Sequence, residues 1–164
     1  MKRFLIIILS LILITGLSAC DTDDIPTPEP PYRPENPGNN NEDDKPEENR
    51  KMKITTGTAT FMATLQNNAT ATAFAKLLPI TITMQELNNN EKYYDLPGSL
   101  PTSSSNPGTI QTGDLMLYAS RTLVLFYKNF STSYSYTRLG KINDPTGLAS
   151  ALGSENATIT IELE

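Results

Sequence analysis

The stretch Gly113-Asp-Leu-Met-Leu-Tyr-Ala-Ser-Arg-Thr-Leu-Val-Leu-Phe-Tyr-Lys-Asn-Phe-Ser-Thr-Ser-Tyr-Ser-Tyr-Thr-Arg-Leu-Gly140 decides the fold. Leu115 to Tyr118 and Leu123 to Tyr127 are short β-type runs separated by Ala119-Ser120-Arg121-Thr122, and a third run, Tyr134 to Leu139, follows a polar loop. Apolar and aromatic runs joined this way predict an antiparallel meander. Phe126 and Tyr127 are consecutive, so the pleat sends them to opposite faces and one must be core. Phe126, Phe130, Tyr134 and Tyr136 are the aromatic residues that could pave a pocket, with Arg138 as a nearby cation.

Upstream, Lys53 to Thr56 and Thr58 to Leu65 alternate around Gly57, as in a hairpin that buries Phe61 and Leu65 on one face. Asn67-Asn68 supplies an N-cap for an amphipathic helix over Ala69 to Leu78, which Pro79 ends. Ile80 to Met84 alternates as a strand. The region from Glu86 to Thr112 is rich in Asn, Pro, Ser and Gly, which predicts long loops with at most a short strand at 91–95. Tyr93 and Tyr94, close to Pro97, either line the mouth of a pocket or pin that loop to the barrel.

Downstream of the meander, Asp144-Pro145 predicts an N-cap followed by proline at the first helical position, Leu148, Ala149 and Leu152 an apolar face, and Gly153 the C-terminal cap. Ala157 to Leu163 closes the chain as an alternating strand. The sum is a mainly β protein: a small closed antiparallel barrel with one or two short capping helices.

The N-terminal part has a different character. Lys2 and Arg3, the apolar run Phe4 to Ile14 and the small residues Ser18 and Ala19 predict a signal peptide over residues 1–19. The run falls short of the ~20 apolar residues that cross a bilayer. Leu17-Ser18-Ala19-Cys20 resembles the lipobox of bacterial lipoproteins, which implies cleavage before Cys20 and acylation of that residue. Several acyl chains anchor a protein stably where one would not. Cys20 is the sole cysteine, so no disulfide supports the secreted domain.

Residues 20–50 form a predicted disordered tether, because ten acids, three bases and seven of the twelve prolines fall within residues 21–50, with almost no large aliphatics. Residues 51–164 carry eight bases and eight acids, so the overall charge of −5 belongs to the tether and not to a binding face. A neutral domain on an acidic stalk is a poor nucleic-acid binder, and no nucleic-acid partner is expected. Asp21, Asp23 and Asp24 after the lipidated cysteine resemble acidic export signals of some Gram-negative lipoproteins, whereas under the sorting rules of other bacteria an aspartate there means inner-membrane retention. The expected location is the cell envelope, with the outer membrane or cell surface favoured over the inner membrane.

The globular part, residues 51–164, resembles the bacterial cyclophilin-like domain family. The resemblance rests on Ala73-Phe-Ala-Lys-Leu-Leu-Pro79, Glu91-Lys-Tyr-Tyr94, Asn106-Pro-Gly108, Gly113-Asp-Leu-Met-Leu-Tyr118, Leu123-Val-Leu-Phe-Tyr127 and Tyr134-Ser-Tyr-Thr-Arg-Leu-Gly140. It implies a cyclophilin-type closed barrel. The Phe-His-Arg and Gln-Gly-Gly-Asp elements of isomerase cyclophilins do not occur in the chain, and neither Arg121 nor Arg138 aligns with their catalytic arginine.

The chain has no His and no Trp, which removes the usual general base near neutral pH and the usual zinc ligand. No metal-ligand cluster or glycine-rich phosphate loop stands in the sequence, so neither a metal nor a cofactor is expected. Ser103-Ser104-Ser105 has no visible base to activate a nucleophile. Asp95 and Asp114 could serve as paired carboxylates only if the fold brought them together.

Period two would put Tyr134, Tyr136 and Arg138 on one strand face, as a stripe able to bind a carboxylate, a phosphate or a peptide carbonyl; the alternative is tyrosines stacked under a solvated arginine. Two functions follow: a non-catalytic module that binds a small ligand or peptide through Tyr93, Tyr94, Phe126, Phe130, Tyr134, Tyr136 and Arg138, and a divergent prolyl isomerase using Arg121 or Arg138.

Overall fold

A computed structural model describes residues 50–164; the predicted signal peptide, Cys20 and the tether through residue 49 lie outside the described residues. In chain order the elements are β1 (Lys51–Thr56), β2 (Ala59–Leu65), α1 (Ala69–Ala75), β3 (Ile80–Leu87), β4 (Glu91–Asp95), β5 (Thr109–Ile110), β6 (Asp114–Tyr118), β7 (Thr122–Phe126), β8 (Phe130–Ser131), β9 (Tyr136–Ile142), α2 (Leu148–Leu152) and β10 (Ala157–Leu163). The barrel closes in the order β1-β10-β3-β4-β7-β6-β9-β2, and β5 pairs with β8 outside it. Every pairing is antiparallel.

Alternation decides which residues fill the barrel. Met52 and Ile54 of β1, Phe61, Ala63 and Leu65 of β2, Ile82 and Met84 of β3, and Ile159 and Ile161 of β10 are buried together inside. Their neighbours face out, where threonines pair across strands: Thr81 with Thr160 at 2.9 Å and Thr83 with Thr158 at 3.2 Å. Such pairs suit a solvated sheet face, contributing a few tenths of a kcal/mol each, about 0.2–1 kcal/mol. At Gly140 an added Cβ would lie 2.8 Å from the Thr64 carbonyl oxygen, so β9 approaches β2 more closely than any side chain allows.

The two helices close opposite ends of the barrel. α1 joins the end of β2 to the start of β3, α2 joins the end of β9 to the start of β10, and the antiparallel order puts these connections at opposite rims. Asn68 caps α1 through its side-chain oxygen, which accepts from the Ala71 N–H at 2.8 Å, while its side-chain amide donates to the Arg138 carbonyl at 2.9 Å. Ala71 and Phe74 are the buried face.

Four sequence expectations change in detail. α1 stops at Ala75 and not Leu78; Leu77 and Leu78 turn back onto the Phe74 and Ala75 carbonyls, as Pro79 disfavours helical backbone at the residue before it. The second helix begins at Leu148, because Gly147 at φ 82° interrupts it; Asp144 instead accepts from the Thr146 N–H at 3.0 Å and caps the preceding turn. β3 runs on to Leu87 and the short strand expected at 91–95 is present as β4 within the barrel, so the loops expected from Glu86 begin only after Asp95, apart from the turn at 88–90. Finally, β9 starts at Tyr136 and extends to Ile142, leaving Tyr134 ahead of the strand.

Candidate functional site

The outer face of the barrel carries a second apolar cluster. Ile110, Met116, Val124, Phe126 and Tyr136 are buried there, under the β5–β8 pair, with Tyr93 and Phe130 half-buried against them. A register irregularity between Leu115 and Met116 puts Arg138, and not Leu139, opposite Met116. Beyond it, Tyr136 and Arg138 face out beside Tyr118 and Met116 while Leu139 stays in the interior core. Phe126 and Tyr127 therefore both end up buried, Phe126 in this outer cluster and Tyr127 in the interior.

Strand register writes the site as rows across four strands. Asp95, Thr122, Tyr118 and Tyr136 lie side by side in one row, and Tyr93, Val124, Met116 and Arg138 in the next. Glu91 pairs with Phe126 in a third. Over these rows opens a cleft of about 380 Å³. Glu91, Tyr93 and Asp95 form its β4 wall, Tyr118, Thr122, Val124 and Tyr136 its floor, Leu87 and Asn88 one rim and Tyr134 another. Volume and lining are of the kind that holds a small molecule or one or two side chains of a peptide.

Four of the seven tyrosines meet here. The Tyr118 ring stands 6.1 Å from Tyr134 at 89° and 5.6 Å from Tyr136 at 54°, and Phe126 supports Tyr136 edge-on at 5.5 Å. Two carboxylates share the cleft. Asp95 accepts from the Thr122 hydroxyl at 2.6 Å. Glu91 is half-buried, and burial, followed by the charge of Glu86, pushes its carboxyl above the ordinary value. Burial, and next the charge of Glu91, likewise raise the Tyr136 phenol. No Lys or Arg lines the cleft among the described residues.

Behind the cleft, β4 turns Lys92 into the barrel, where it is fully buried. Its ammonium donates to Glu86 at 2.5 Å, to the Gly153 carbonyl at 2.9 Å and to the Glu155 carbonyl at 2.5 Å. The Tyr127 hydroxyl donates to the Glu86 carboxylate at 2.9 Å, and burial and that bond push its pKa up to about 12. Burial works against ionised Glu86, but Lys92, Tyr127 and the Asn89 N–H together outweigh it and hold the carboxyl below its ordinary value. All three ammonium donors are used. This is a clasp that ties α2 to the barrel wall.

The sequence candidates are distributed as follows. Tyr93, Tyr134 and Tyr136 line the cleft, and Phe126 and Phe130 support it from the adjoining cluster, 5.7 Å apart. Tyr94 packs against the interior core instead. Arg138 leaves the tyrosine stripe: its guanidinium lies 3.9 Å from Asp114, which is buried, accepts from the Gln111 N–H and also pairs with Lys141 at 3.2 Å. Asp95 and Asp114 are thus at separate sites, and Ser104 is engaged with Thr137 at 3.2 Å. Sequence reasoning passed over Tyr118 and Glu91; the signal for both was period two, Met116/Tyr118 on β6 and Glu91/Tyr93/Asp95 on β4. Among the described residues no cluster of acids, His or Cys could hold a metal ion, and no helix is long and apolar enough to cross a membrane.

A closed eight-stranded barrel with an aromatic cleft on its outer wall defines the class. The chain belongs to the cyclophilin-like family, whose sequence profile matches residues 54–163. It is similar in structure to the hypothetical protein AF2241 from Archaeoglobus fulgidus, solved in solution, with a TM-score of 0.56 and 17% sequence identity over 74% of this chain and 99% of that one. That likeness is one of fold. No curated protein matches the chain.

Proposed function

We propose that this cyclophilin-like barrel is a ligand-binding module, held at the cell envelope through lipidated Cys20 and an acidic tether. The observation that carries the reading is the cleft itself, in which tyrosines from β4, β6, β9 and the segment before β9 converge on one concave site. Barrel walls are ordinarily solvated and convex; an outer-face pocket floored by a buried aromatic cluster is a place where a ligand gains contact area on several sides. The divergent isomerase reading needs a donor aimed at a proline amide. Arg138 is engaged with Asp114 and Arg121 is absent from the cleft lining, so neither arginine supports that reading.

Screening small-molecule fragments and Xaa-Pro peptides against the full-length chain tests the proposal. Tyr118 and Tyr134 are exposed enough to be replaced without opening the core, at 43% and 61%. Tyr118→Ala with Tyr134→Ala is expected to weaken any binder at least about tenfold while leaving the melting temperature nearly unchanged. Binders that ignore both substitutions would refute the site. For the anchor, Cys20→Ser is expected to move the protein from the membrane fraction to the soluble one.

A further inference from the structure

The chemistry of the cleft specifies more than its shape. Glu91 and Asp95 line it from one face of β4 with Tyr93 between them, Tyr118 and Tyr136 lie on its floor, and Tyr134 stands at its rim. The Asp95 carboxylate is oriented by the Thr122 hydroxyl. The Glu91 carboxylate makes no ion pair or hydrogen bond among the described residues, although it is half-buried. The nearby cation Lys92 is spent on Glu86 and two carbonyls on the opposite side of β4. Arg138 and Lys141 converge on Asp114, and the exposed Lys128, two residues after Glu91's partner Phe126, has its ammonium 5.9 Å from the Tyr127 ring.

The cleft lining therefore holds two carboxylates and no cation among the described residues. Tyrosine faces add to the negative potential, because the ring quadrupole presents negative charge above and below the plane. Rings set at 54° and 89° to Tyr118 turn their faces and edges in different directions, as the walls of an open box do and a stacked slab does not. An anion entering this space would meet two carboxylates. A neutral ligand would leave Glu91 desolvated and uncompensated, at a cost that burial already makes visible in its raised pKa.

We infer that the cleft binds an organic ammonium group, with the tyrosines around the cation and Glu91 and Asp95 as its counter-charges. The inference deepens the proposed binding role and rests on it. The head group can arrive on a free small molecule or at the end of a lysine side chain, and both present the same chemistry to the cleft.

A charge series of one shape tests this. The full-length chain is titrated with choline, with its neutral isostere 3,3-dimethylbutan-1-ol and with the anion 3,3-dimethylbutanoate, following the tyrosine ring signals by NMR. Choline is expected to bind about tenfold or more tightly than the alcohol, and the anion not at all. Glu91→Gln and Asp95→Asn, which preserve shape, are each expected to weaken choline about fivefold and leave the alcohol unchanged. Nα-acetyl-lysine N-methylamide forms a second arm: tighter binding than choline assigns the ammonium to a protein side chain, weaker binding to a free amine, and either supports the inference. Equal or tighter binding of the alcohol or the anion in the cleft would overturn the inference while leaving a binding site in place. Failure of all four probes to shift any cleft tyrosine would overturn the ammonium inference, and a fragment screen without cleft hits would then overturn the binding role separately.

Discussion

Replacing Lys92 with methionine keeps the length of the side chain and removes its charge, and the result can be reckoned from its three bonds. Lys92→Met leaves Glu86 without its ion-pair partner, though the Tyr127 hydroxyl and the Asn89 N–H still serve that carboxylate. The Gly153 and Glu155 carbonyls lose a donor each, but both residues lie at the surface, where water can replace it. Losing one partner of a buried pair costs about 3–5 kcal/mol, and the partial rescue by Tyr127 and water puts this variant near the lower figure, about 3 kcal/mol. That is a large share of a typical domain's 5–15 kcal/mol or so. Urea unfolding followed by circular dichroism at pH 7 measures it, with the slope m expected to stay constant. Adding Glu86→Gln should cost less than it does alone, because the charge it removes is already unpaired. A loss below about 1 kcal/mol for Lys92→Met would refute the clasp.

Three further outcomes follow from the same geometry. The Tyr127 phenol, raised from 10.0 to about 12, contributes stability that is complete below pH 10 and is lost as pH rises to about 12; Tyr127→Phe should abolish that part of the alkaline transition, worth about 2–3 kcal/mol. Conversely, the Glu91 carboxyl is raised in the folded state, so its ionisation costs stability as pH climbs past its ordinary value; Glu91→Gln should raise the urea midpoint at pH 7 and have no such effect in acid, where both forms are neutral. Gly140→Ala forces a methyl group against the Thr64 carbonyl and the end of Met52, and is expected to lower stability by about 1–3 kcal/mol in the same assay.

The barrel was legible in the sequence wherever alternation was unbroken. The hairpin before Leu65 and the last strand from Ala157 emerged from period two, the meander strands β6 and β7 from continuous apolar runs that are buried on both faces, and the Asn68 cap from residue type alone. β4 was legible as a short strand at 91–95 but not as a barrel wall, because its inward positions hold Lys92 and Tyr94, which a hydropathy pattern takes for surface residues. The cleft was half legible. Tyr134 and Tyr136 are close in sequence, but their meeting with Tyr93 depends on β4 pairing with β7, a non-local register that no local pattern contains. Arg138 shows the same limit: period two puts it on the tyrosine face, but its approach to the buried Asp114 on the next strand depends on the β6–β9 register.

Selective ¹³C labelling of tyrosine rings, followed by titration of the full-length chain with a fragment library, tests the central claim most directly. Seven tyrosines give seven reporters, four in the cleft, and Tyr94 and Tyr127 in the interior as internal controls. Binding at the cleft predicts shifts confined to Tyr93, Tyr118, Tyr134 and Tyr136 for every fragment that binds. Shifts at Tyr94 and Tyr127 with the cleft tyrosines silent, or no shift at any tyrosine across the library, would contradict it.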